Sequence, residues 1–140
     1  MSYTSFSKED YVAFRDNDRP GQIHMLNLIR LREIAKYPDG RQATGLVAFA
    51  SYGRESEPVY QRLGGQIIWR GGFEQTLIGP ADEHWDVCFI AEYPSVGAFI
   101  EMVRDPVYRA ATLHRQAATP DSRLIRLEQM EAGHSFADPE

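Results

Sequence analysis

Hydrophobic positions along the chain follow two periods, and the switches between them divide it into elements. A helical period comes first. Ser7 opens SKEDYVAFRDND with Asp10 three residues on, a capping pattern followed by Tyr11, Val12 and Phe14, and Arg19-Pro20-Gly21 ends the helix. The apolar run QIHMLNLIRL, residues 22–31, predicts a strand, and YPDGRQA after it has turn chemistry. From Ala43 the spacing returns to three and four. Leu46, Phe49, Gly53, Ser56, Tyr60 and Leu63 form a helical stripe closed by Gly64-Gly65, with Pro58 expected to kink or restart it. QIIWRGG is a second strand, and a loop leads to WDVCFIAEYPS, residues 85–95, a third strand with Asp86 and Glu92 set among apolar residues. Ser95 caps a helix whose inner stripe is Phe99, Met102 and Val103, and Asp105-Pro106 predicts a break and a restart that runs to about Ala118. TPDS turns the chain, SRLIRLEQ is the last strand, and MEAGHSFADPE is a polar tail.

A short helix followed by β-α-β-β-α-β predicts an α+β, ferredoxin-like domain: four antiparallel strands with the helices on one face. The expected organisation is a helical extension over 1–20, the domain over 21–130 and a tail over 131–140. The other sheet face is left open, so a homodimer through that face is the expected partner. Alternation along each strand then sorts the side chains. Trp85, Val87, Phe89, Ala91 and Tyr93 go to the helices, and Asp86, Cys88, Ile90 and Glu92 to the open side. The same sorting sends Ile67 and Trp69 inward and Gln66, Ile68 and Arg70 outward. In the first strand it places Leu26 and Leu28 inward and Met25, Asn27 and Ile29 on the open face. The two carboxylates are thereby expected outside the helix-packed core, with Arg70 as their partner.

Charge and length narrow the partner classes. The 140 residues suffice for one domain with a real core, and a net charge of −5 without a local Lys/Arg run argues against nucleic acid. No apolar run approaches the ~18 residues of a membrane span. The N-terminus lacks a basic-then-apolar signal pattern, so the cytoplasm is the expected address. Cys88 stands alone and cannot form an internal disulfide. His24, His84, His114 and His134 are scattered without ligand spacing, so no metal is expected. The paired glycines end elements instead of opening helices, which is the wrong context for a phosphate loop.

Several segments together, YQRLGGQIIWRGG, FIAEYPSVGAFIEMVRDPVYRAA and DSRLIRLEQ, resemble the domain-of-unknown-function 1330 family of the dimeric α/β-barrel superfamily. The shared features are Gly-Gly before a strand ending in Arg-Gly-Gly, a Glu-aromatic-Pro-Ser strand end, an Asp-Pro-x-Tyr helix break and an Asp-Ser-Arg start to the last strand. The resemblance covers roughly residues 22–129. It implies two subunits pairing their sheets into a barrel-like dimer, each with a cavity between sheet and helices or at the interface. The first helix and the REIAKYPDGRQ loop exceed the family pattern. The superfamily includes cofactor-free monooxygenases, isomerases and haem enzymes, so the fold leaves the activity open.

The candidate chemistry is proton transfer without metal or organic cofactor on a small substrate, anionic if an arginine clamps it. Arg70 is the candidate clamp, Glu92 or Asp86 the base, Asn27 a neutral donor to a developing oxyanion, and His114 a reserve base. By superfamily analogy alone, His114 is also a candidate haem ligand. Each has a plainer reading: an ion pair that orients a dimer, an amide satisfied by backbone, a cation at a helix C-terminus. The competing class is a non-catalytic ligand-binding or interaction module, in which Arg70 and the carboxylates only hold the dimer.

Overall fold

The structure is a computed structural model and describes residues 2–137. The end of the expected tail, residues 138–140, lies outside the described residues. The element order is α1 (Lys8–Asp16), β1 (Ile23–Arg30), α2 (Gly45–Arg62), β2 (Gln66–Gly71), β3 (Val87–Tyr93), α3 (Val96–Arg104), α4 (Pro106–Ala118) and β4 (Asp121–Leu127). All strand pairs are antiparallel in the order β2-β3-β1-β4, so the fold is ferredoxin-like and α+β.

The helix starts follow from side-chain caps. Ser7 Oγ accepts from Asp10 N, Thr44 Oγ1 from Val47 N and Ser95 Oγ from Ala98 N, each occupying an N–H that the helix itself leaves open. Asp105 ends α3 and caps α4, taking Val107 N at 2.8 Å and Tyr108 N at 3.2 Å, which is the expected break. Pro58 departs from expectation, because α2 runs through it as one helix. Pro58 and Arg54, whose carbonyl loses its hydrogen bond there, are both exposed, so the loss falls on the solvent side of the helix.

The inner stripe of α2 also differs. Leu46 is 67% exposed, and the buried positions are Gly45, Ala48, Ser56 and Val59. Small residues make this contact: Ala48 packs with Ala117 and Ala118 of α4, and a Cβ at Gly45 would collide with the Arg32 carbonyl. The loop after β1 is not free. Arg32 N and Lys36 N donate to the carbonyls of Ala118 and Ala117, while Ala35 and Tyr37 are buried against the same alanines.

The main core lies between the helices and one face of the sheet, where Ile23, Met25, Ala91 and Tyr93 meet Val59, Val96, Phe99 and Met102. The sorting of β3 holds: Ala91, Tyr93 and Trp85 are buried and Phe89 packs on the core. The sorting of β1 is reversed, since Met25 and Ile29 are buried on the helix side and Leu26 and Leu28 lie opposite, beside Ile90 and Cys88. Both sides of β1 are apolar, so alternation alone carried no information about phase. In β2 the register shifts between Ile67 and Trp69, a bulge that inverts every later side chain. Trp69 therefore pairs with Ile90 on the open face, 53% exposed, and is not a core residue.

Candidate functional site

The inverted phases scatter the expected constellation. Arg70 and Asn27 both pair with Phe89, which puts them on the helix side of the sheet, not the open side. Arg70 is exposed and makes no ion pair among the described residues, so it is no partner to either carboxylate. Asn27 is half-buried and donates Nδ2–H to its own strand, at the Met25 carbonyl, 3.1 Å away. Asp86 is exposed and structural in its contacts: its N–H donates to the Ile29 carbonyl and its Oδ2 accepts from Leu31 N at 2.7 Å, joining the entry of β3 to the exit of β1. Arg70→Met is accordingly expected to shift stability by less than about 0.5 kcal/mol, as read by thermal denaturation.

Glu92 is different. It lies on the open side, directly across from His24 in β1 and Gln66 in β2. His24 Nε2 is 2.9 Å from Glu92 Oε2, and Gln22 and Gln66 each donate Nε2–H to Oε1 at 3.4 Å. The His24 side chain is 4% exposed and that of Glu92 14%. A carboxylate only accepts, so Nε2 carries the hydrogen, and in the neutral ring the lone pair falls on Nδ1. That nitrogen is buried without a hydrogen-bond partner. Tyr60 holds the strand from the helix side by donating its O–H to the Glu92 carbonyl at 2.8 Å, and the Tyr60 ring fills the place that a Cβ on Gly65 would take. Burial, then the charge of Glu92, pushes the Tyr60 phenol far up, so it stays protonated and keeps its hydrogen for the Glu92 carbonyl.

His24 also borders a cleft of about 390 Å³ where β1 begins and β4 ends, with Arg19, Gln22, Glu128 and Glu131 among its lining residues. Arg19 lies across from Glu128 at 3.3 Å. Sequence reasoning passed over His24 because it looked for metal spacing. The available signal was a histidine one step into an apolar strand, two positions after Gln22 and three before Asn27.

His114 sits in a separate cluster on α4. Its Nδ1 is 2.6 Å from the Tyr37 hydroxyl and its Nε2 2.9 Å from Glu55 Oε2. With both ring nitrogens engaged, His114 does not suit a haem iron, and its contacts tie the loop after β1 to α2 and α4. Arg115 donates to the Thr4 carbonyl and Ser122 Oγ, and Arg123 pairs with Asp121 at 2.7 Å, so these groups fasten the N-terminal segment. Burial first, then Asp86, raises the Cys88 thiol, the opposite of nucleophile activation. Among the described residues no three His, Cys, Asp or Glu come together as a metal site, and no helix is long and apolar enough to cross a membrane.

Two crystal structures resemble the chain throughout. The RPA0582 protein of unknown function from Rhodopseudomonas palustris is 60% identical, covering 94% of this chain and 100% of its own, with a TM-score of 0.91. The methylated RPA0582 protein is 62% identical, covering 95% and 98%, with a TM-score of 0.93. No curated protein matches the chain. The profile of the family described as a domain of unknown function, DUF1330, matches residues 41–130, and the chain belongs to that family.

Proposed function

We propose that the protein is a cofactor-free proton-transfer enzyme, an isomerase, lyase or monooxygenase-like catalyst, in which His24 is the base and Glu92 orients it. The carrying observation is the 2.9 Å contact between Glu92 and His24, a residue that borders the cleft, which leaves the other ring nitrogen buried and unpartnered. In the proposed step a C–H beside a carbonyl breaks, its proton passes to Nδ1, and the electron pair moves onto the carbonyl oxygen as an enolate. Glu92 balances the imidazolium that forms, and Gln22 and Gln66 hold Glu92. The wall charges, Arg19 against Glu128 and Glu131, favour a neutral substrate over an anionic one. The proposed enzyme works as a cytoplasmic homodimer. The support for pairing is the apolar open face, where Trp69, Ile125 and Leu127 are 53%, 42% and 41% exposed beside Leu26, Leu28 and Ile90.

The test is hydrogen exchange into small carbonyl compounds in heavy water, followed by NMR. The protein is expected to wash deuterium into the carbon beside the carbonyl of a compound that shifts the His24 signals. A compound that binds at His24 without any exchange favours the non-catalytic binding module and contradicts the enzyme reading.

A further inference from the structure

The cleft between the N-terminal helix and the α3–α4 junction has a charge balance unlike the rest of the chain. It is an open groove of about 530 Å³, with Phe6, Lys8 and Tyr11 on one wall and Val103, Arg104 and Arg109 on the other. Three cations and no carboxylate line it, in a chain of 20 Asp and Glu against 15 Lys and Arg. Lys8, Arg104 and Arg109 are exposed, and their side chains make no ion pair among the described residues. Glu9 and Asp10 follow Lys8 but do not line the cleft, and the acid beside Arg104 is already engaged. Asp105 lies between Arg104 and the Arg109 turn, but its Oδ1 caps α4 and its Oδ2 pairs with Arg62 at 2.8 Å.

A solvated helix surface explains part of this. Arg104 ends α3, where the helix dipole favours a cation. It does not explain Arg109, which follows the first turn of α4 where a cation is disfavoured, or three uncompensated like charges around one cleft. The opposite wall is flat and apolar. Phe6 and Tyr11 stack with centroids 5.8 Å apart and planes at 18°, and Phe6 stays 48% exposed. The volume falls in the range of small-molecule sites.

We propose that this cleft binds a small organic anion, a carboxylate or phosphate ester on a flat apolar body. The charged head meets Arg104, Arg109 and Lys8, and the body lies along Phe6 and Tyr11. The site is independent of His24, and its aromatic wall lies outside residues 41–130, so it is a feature of this chain's extension and not of the family profile.

NMR titration of the full chain with phenyl phosphate and with benzoate tests it. Saturating shifts at Tyr11 and Arg109 from either probe are expected, the tighter probe identifying the head group. Arg104→Gln and Arg109→Gln, both on exposed helix surface, are each expected to weaken binding about tenfold or more. Inorganic phosphate, which lacks the ring, is expected to bind at least about tenfold more weakly than phenyl phosphate. The proposal is overturned if neither probe gives a saturable shift at millimolar concentration. It is equally overturned if the Arg104→Gln/Arg109→Gln double variant binds as the parent does, or if inorganic phosphate binds as tightly as phenyl phosphate.

Discussion

Glu92→Gln is expected to lower the deuterium-exchange rate by about 10²–10⁴-fold, and His24→Asn by a similar factor. The reason lies in the count of donors at Glu92. Three N–H groups converge on its two oxygens, from His24, Gln22 and Gln66. A glutamine there has one acceptor oxygen, so either His24 Nε2 or the two amides meet an N–H in its place. If His24 meets the amide, its hydrogen moves to Nδ1 and the lone pair is lost where it is needed. Stability is expected to fall by only about 1–3 kcal/mol, because one charged acceptor is lost from a nearly buried cluster. A fall in melting temperature with exchange unchanged in either variant would make the pair structural.

Ile90→Asp is expected to convert the dimer to monomer, raising its dissociation constant by about 10²-fold or more, as read by light scattering against concentration. Ile90 is flanked on the open face by Leu26 of β1 and Trp69 of β2. An isolated carboxylate buried among them at a subunit interface costs several kcal/mol, and each copy of the interface would carry two. The monomer fold should survive, because the helix-packed core lies on the other side of the sheet. A parent protein that is monomeric at micromolar concentration, or an Ile90→Asp variant that still pairs, would show that another partner or none covers this face.

Element order was legible because caps and breakers announce it: Ser7, Thr44 and Ser95 cap helices, and Asp105-Pro106 breaks one, through chemistry local to a few residues. Strand phase was legible only in β3, where polar and apolar residues alternate. In β1 both faces are apolar, and in β2 the bulge after Ile67 is set by pairing with β3, which no local pattern records. The candidate site inherited these two errors, which placed Arg70 and Asn27 on the wrong side. Glu92 was found on the correct face, but its partner was missed. His24 lies 68 residues away, and only the register of β1 on β3 brings the two together. The stripe of α2 was missed for another reason: a hydrophobicity pattern looks for large residues, whereas Gly45 and Ala48 make the contact by being small.

The most direct measurement is the protonation pattern of the His24 ring, read by nitrogen NMR on protein labelled at histidine. The expected result is the hydrogen on Nε2, facing Glu92, and a bare lone pair on Nδ1 whose signal moves when a ligand enters the cleft. A hydrogen on Nδ1 with Nε2 unprotonated would leave no base at this site and contradict the account.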